Sequence, residues 1–204
     1  MVVAFDLDDT LFSEIDFARS AAFAIGCRHN TIRTIEPGQS LAEYFDLCGL
    51  PIEQLIGEYR AHRPEFLPLP VESVYALESL KIAGATLALI TDGRSGTQRA
   101  KINALRLRRW FDDSHIFISE ERGAEKISGL PFRLLREMHP GEEMWMVGDN
   151  PTKDFAPARK EGFRAVCLKD RGVNIHPQMF KGGVESNDPD FIIGSLLELP
   201  DLVC

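Results

Sequence analysis

The sequence predicts an α/β domain built on a parallel sheet, interrupted after its first strand by a helical insertion. Three observations predict it. Five short runs (Val2 to Leu7, Ala85 to Thr91, His115 to Ser119, Met144 to Gly148 and Arg164 to Leu168) are apolar on both faces and bounded by polar residues or glycine. Strands buried on both sides of a sheet read this way. Helix-patterned stretches separate the last four runs, the alternation expected of a parallel sheet. Finally, the interval from Ser13 to Pro70 is patterned for helix throughout and holds no strand signal.

The elements follow in order. After the first strand, Ser13 and Asp16 are placed like a capping box opening a helix that runs through Cys27. Further helices are expected from Ser40 to Leu47 and from Pro51 to His62. Pro64-Glu65-Phe66-Leu67-Pro68-Leu69-Pro70 then forms a stiff connector, because its prolines cannot sit inside a helix. A helix from Val71 to Ala83 leads into the second strand. Helices from Ser95 to Leu107, Ser128 to Met138 and Pro151 to Glu161 join the later ones. Phe191 to Ile193 and Ser195 to Leu199 add a last strand and helix.

Composition narrows the function. A chain of 204 residues suits one domain with a small insertion. With 44% hydrophobic and 26% charged residues it has the balance of a folded globular protein. The 23 Lys and Arg against 31 Asp and Glu give a net charge of −8. Such a surface repels nucleic acid polymers and anionic membranes, while a local basic pocket can still hold a small anion. Cys27, Cys48, Cys167 and Cys204 are scattered without a CxxC pair and read as reduced intracellular thiols. The first residues lack the basic region of a secretory signal, and no apolar run approaches the roughly 20 residues of a membrane span. A cytoplasmic protein acting on a small molecule is expected.

The chemistry gathers at strand ends, where open α/β sheets bind ligands. Asp6-Leu7-Asp8-Asp9-Thr10 leaves the first strand. Side chains two apart on an extended chain point the same way, so Asp6 and Asp8 can face one site. Two such carboxylates invite a hard cation such as Mg²⁺, or divide into base and acid; an ordinary acidic turn has the same residues. Thr91-Asp92-Gly93 closes the second strand, with a hydroxyl and loop N–H groups suited to phosphate. Lys126 stands ahead of a helix after the third. Gly148-Asp149-Asn150-Pro151-Thr152-Lys153-Asp154 follows the fourth, with Pro151 suited to a first helical turn and Asp149 open to a capping or a ligand role.

Taken in order, these four elements resemble the motifs of the haloacid dehalogenase-like superfamily, most of whose members are Mg²⁺-dependent phosphohydrolases. The resemblance runs from Val2 to about Leu168. It implies a Rossmann-like parallel sheet flanked by helices, a core of residues 1–12 and 71–204, and a small all-helical (C1-type) cap over 13–70. It further implies Asp6 as nucleophile and Asp8 as general acid/base. Thr91 and Lys126, in a substrate-binding set with Asp92 and Gly93, would hold the phosphoryl group. Mg²⁺ would be held by Asp6, Asp149, the Asp8 carbonyl and, directly or through water, Asp154. Ile127 stands where many relatives have proline, and Asp92 where others have asparagine.

The implied function is a phosphatase acting through an aspartyl-phosphate on a small phosphate monoester of the nucleotide or sugar phosphate class. A phosphomutase or phosphotransferase would keep every motif. A dehalogenase would share Asp6 but generally lacks an acid at position 8, and a non-catalytic phospho-acceptor domain carries its acceptor on a later strand. Arg60, His62 and Arg63 cluster before the proline connector. They suit either a solvated helix end or a contact to the leaving group.

Overall fold

The structure, a computed structural model, describes residues 1–30, 51–174, 178, 180 and 188–204. Among the described residues, six strands form one wholly parallel sheet: β1 (Val2–Phe5), β2 (Thr86–Thr91), β3 (Ile116–Ile118), β4 (Met144–Gly148), β5 (Arg164–Leu168) and β6 (Phe191–Ile193). Their order is β3-β2-β1-β4-β5-β6. In a sheet of this order the topology reverses between β1 and β4, leaving a crevice beyond their carboxyl ends. Ala4 pairs with Ala88 on one side and Met146 on the other, so β1 is central.

Both faces of β1 are covered, which explains its unbroken apolar run. Val3 and Phe5 join Leu77 and Leu80 of α3 (Val71–Ile82) and Leu199 of α7 (Leu199–Val203). Val2 and Ala4 join Phe132 and Leu135 of α5 (Leu130–Met138) and Ala158 of α6 (Ala156–Lys160). Each large side chain buried this way contributes roughly 1.5–3 kcal/mol.

After β1 come α1 (Glu14–His29) and α2 (Ile52–Ala61), which pack Ala18, Ala22 and Ile25 against Leu55. Phe17 and Tyr59 meet edge to face at 5.6 Å. The helix expected over 40–47 lies outside the described residues, as does Cys48. Cys27, Cys167 and Cys204 are free thiols. Among the described residues no helix is long and apolar enough to cross a membrane.

Three local expectations are corrected. Ser13 precedes α1 but its side chain caps nothing; Asp9, in the left-handed region at φ 57, accepts the Glu14 N–H at 2.9 Å instead. The helix after β2, α4, runs only from Ser95 to Ala104, because Arg106 turns left-handed and a 3₁₀ turn follows. The stretch from Pro151 to Glu161 is a π-helical turn, Pro151–Phe155, leading into α6. Pro157 has no N–H to continue the regular ladder there, and the chain widens around the gap.

Candidate active site

Asp6 leaves β1 still tied to the sheet, its N–H donating to the Val147 carbonyl at 2.9 Å. This brings its carboxylate beside Asp149, which follows β4, and Asp154 of the π-helical turn. All three are buried, and ligand oxygens from them lie within 4.8 Å of one another. Gly148 makes the approach possible. A Cβ there would overlap the Asp154 carboxylate, meeting Cγ at 2.7 Å and Cβ at 2.9 Å. Gly148→Ala should therefore overpack a site with no room to relax. Its Tm should fall by about 5 °C, read from a thermal melt of variant and wild type.

Lys126 is no surface lysine. It is 3% exposed, with Nζ 2.9 Å from Asp6 Oδ1 and 2.5 Å from Asp154 Oδ1. Asp92 anchors it by accepting the Lys126 backbone N–H at 2.9 Å. Burial disfavours the ammonium, but Asp154 and Asp6 outweigh it and hold the pKa above the ordinary lysine range. The carboxylates answer in kind. Burial raises Asp6 well above the usual carboxylate range; Lys126 opposes this, and Asp154 and Asp149 add to it. Burial likewise pushes Asp149 up to about 7, reinforced by Asp154 and Asp9.

Asp6, Asp8, Thr91, Asp92, Lys126 and Asp149 line one cleft of about 150 Å³. Asp154 lies behind it, fully buried. Gly93 lines an adjoining cavity of about 400 Å³, and Asp8 and Asp92 border both. The Gly93 N–H, expected to be open to phosphate, donates to Ser119 Oγ at 2.9 Å. Asn150, not Asp149, caps the following turn by accepting the Thr152 and Lys153 N–H groups. That leaves the Asp149 carboxylate for the cleft.

A family model described as haloacid dehalogenase-like hydrolase matches residues 1–162. The chain belongs to this family. It is 28% identical to a glyceraldehyde 3-phosphate phosphatase from Methanocaldococcus jannaschii, covering 98% of this chain and 96% of the relative. It is 36% identical to a phosphoserine phosphatase from Thermus thermophilus, over 65% of this chain and 50% of that one. The fold is also that of a 2-haloacid dehalogenase from Pseudomonas syringae pv. Tomato DC3000, at TM-score 0.62 and 21% identity, covering 100% and 98% of the two chains. Proteins named for different chemistry share this fold, so the side chains must decide the reaction.

In this haloacid dehalogenase-like hydrolase the residues present fit a divalent cation. Three buried carboxylates face one ammonium, and that excess of negative charge is costly in a site shielded from water. An all-oxygen donor set suits a hard ion. The Asp8 side chain does not join the cluster. Its Oδ1 accepts from Lys101 Nζ at 2.6 Å and its Oδ2 from Gln98 Nε2 at 2.8 Å.

Lys101 and Gln98 escaped the sequence reading as site residues, as did two residues beyond β5. Asn174 Nδ2 donates to Asp149 Oδ2 at 2.9 Å, and Gln178 Nε2 to the Asp149 carbonyl at 2.8 Å. A signal for the first two existed. Gln98 and Lys101 stand one turn apart on α4, which also buries Ala100, Ile102 and Ala104. The basic cluster separates. His62 Nε2 lies 3.0 Å from Ser20 Oγ and its ring packs on Phe17; burial, with Arg28 and Arg63 nearby, holds its pKa below the ordinary value. Arg63 donates to the Arg60 and His62 carbonyls. Of the three, only Arg60 lines the 400 Å³ cavity, alongside Ile52, Ile56 and Tyr59.

Proposed function

We propose that this hydrolase is a Mg²⁺-dependent phosphatase that cleaves a small phosphate monoester, of the nucleotide or sugar phosphate class, through an aspartyl-phosphate on Asp6. One observation carries the reading. At the switch point of the sheet, the buried Asp6 carboxylate has Lys126 at one oxygen and a second acid, Asp8, bordering the same cleft. A dehalogenase has no use for that second acid; a phosphatase needs it twice. The similarity to the Methanocaldococcus jannaschii phosphatase over nearly both full lengths supports the same chemistry.

Asp6, Asp149, Asp154 and the Asp8 carbonyl would hold Mg²⁺, which when bound supplies positive charge against the phosphate dianion. Thr91 and Lys126 hold the non-bridging oxygens, so that the anionic Asp6 can approach phosphorus. Asp6 attacks in line, forming its own bond to phosphorus as the bond to the leaving oxygen breaks. Asp8 gives that oxygen a proton, then takes one from the water that attacks phosphorus and frees Asp6 and inorganic phosphate. The free thiols suit a reducing cytoplasm. The test is phosphate release with Mg²⁺ across nucleotides, sugar phosphates and glycolytic intermediates. Turnover of one group is the expected result, and no release from any would sink the reading.

In this reading residues 13–70 act as the cap, and the leaving group occupies the 400 Å³ cavity between Arg60 on one wall and Gly93 on the other. Arg60→Ala should lower kcat/KM for the best substrate of the screen about 10- to 100-fold, as loss of a charged hydrogen bond does. p-Nitrophenyl phosphate, whose leaving group lacks the hydroxyl and charged groups of a nucleotide or sugar, should be affected much less. Equal losses on both substrates would return Arg60 to the solvated surface.

A further inference from the structure

Lys101 is 2% exposed yet charged, and its place is not at the phosphoryl site, where Lys126 stands. Burial works against its ammonium, but Asp8 and Glu14 outweigh that and its pKa is raised. A buried ammonium costs far more than an aliphatic side chain would on the same helix face unless its partners offset it. The partners identify the role. Nζ lies 2.6 Å from Asp8 Oδ1, 3.5 Å from Glu14 Oε1 and 5.0 Å from the centre of the Phe17 ring. Glu14 and Phe17 belong to the first turn of α1, where the chain enters the helical segment. One turn back on α4, the Gln98 amide donates to Asp8 Oδ2 at 2.8 Å and contacts Thr91 Oγ1 and the Asp92 carbonyl, each at 2.9 Å.

Both oxygens of Asp8 are therefore held from one rigid helix, and the Gln98 arm also spans to the residues proposed to bind phosphate. We propose that Lys101 and Gln98 are positioning residues for Asp8, and that Lys101 ties the placement of Asp8 to the first turn of the helical segment. The proposal rests on Asp8 as the acid of the phosphatase reading. An acid displaced by about 1 Å from the leaving oxygen loses most of its effect, so this support acts on proton delivery and not on phosphate binding. A shift of α1 would move Glu14 and Phe17 relative to the Lys101 ammonium and so alter its hold on Asp8.

The experiment measures single-turnover release of the leaving group, with Mg²⁺, from two substrates. One is the best alkyl phosphate of the screen, whose alkoxide must be protonated to leave. The other is p-nitrophenyl phosphate, whose phenolate leaves without a proton. Lys101→Met should slow the alkyl substrate about 10²-fold and the aryl substrate by no more than about threefold. Lys101→Arg should recover part of the alkyl rate. Glu14→Gln should slow the alkyl substrate several-fold and spare the aryl one; an unchanged alkyl rate would refute the tie to the helical segment. Equal slowing of both substrates by Lys101→Met would overturn positioning in favour of a merely structural ion pair. If Lys101→Met gives no cooperative melt, Lys101→Gln carries the same comparison; Gln98→Met, which also releases Thr91, should slow the alkyl substrate more than the aryl one without fully sparing the latter. Asp8→Asn is run in parallel. If it keeps its alkyl rate, the acid assignment falls and the proposal with it. If it loses that rate while the Lys101 and Gln98 variants keep theirs, the acid assignment stands and positioning is refuted.

Discussion

Asp6→Asn should fold with a Tm close to that of the wild type but should lose phosphatase turnover by at least roughly 10³-fold. The two halves of this expectation have separate causes. Asparagine keeps the shape of Asp6, and the backbone bond from residue 6 to the Val147 carbonyl does not depend on the side chain. The lost pairing with Lys126 is offset twice over. Lys126 keeps Asp154 at 2.5 Å, and a neutral amide relieves the repulsion that Asp154 and Asp149 exert on the Asp6 carboxylate. Turnover has no such compensation, because an amide cannot take the phosphoryl group, and what survives is binding and charge stabilisation alone. Steady-state phosphate release beside a thermal melt checks both halves. Acid quench of the wild type during turnover should in addition trap phosphate on the protein, and the variant should trap none. Substantial turnover by Asp6→Asn would rule out the covalent route.

Removing a bound divalent metal should have the second largest effect. Excess chelator should lower turnover by at least roughly 10²-fold, and added Mg²⁺ should restore it. Ca²⁺ should inhibit, since its larger and looser coordination shell would displace Asp6 from the line of attack. The same ion should appear in stability. Asp6, Asp149 and Asp154 face each other buried and with one ammonium among them, so a cation bound only by the folded chain relieves their repulsion. At a hundred times its dissociation constant such a ligand adds about 2.7 kcal/mol, or roughly 5–10 °C in Tm for a chain of this size. Asp149→Asn should remove most of that shift. Full activity in chelator would contradict the assignment and reopen dehalogenase chemistry.

The strands were legible in the sequence because burial on both faces leaves a continuous apolar run with nothing to alternate. β4 and β5 begin and end where those runs do. β1 stops earlier, at Phe5, because the chain turns sharply after Asp6 and Asp9 goes left-handed. The carboxylates at the ends of β1 and β4 were legible for a related reason: a charged cluster directly after a buried strand has nowhere to go but the crevice. Helix ends were less so. Pro157 stands in the sequence, but the residues around it do not say whether it stops, kinks or widens the helix.

What only the tertiary structure decided is which polar side chains are buried and against what. Taken alone, Lys126 reads as one more surface lysine, and only the resemblance of the motifs marks it; it becomes the counter-charge of the site when β1 and the turn after β4 enclose it. Lys101 meets Asp8 across 93 residues of chain, and Gln98 meets it across 90. Asn174 reaches Asp149 from beyond β5. Periodicity and turn chemistry are written within a dozen residues, because they arise from backbone geometry and from one face of one element meeting water or core. The cost of burying a charge is not local. It is offset or not by a partner that arrives from elsewhere in the fold, and no pattern around Lys101 or Lys126 could say that an aspartate would be waiting.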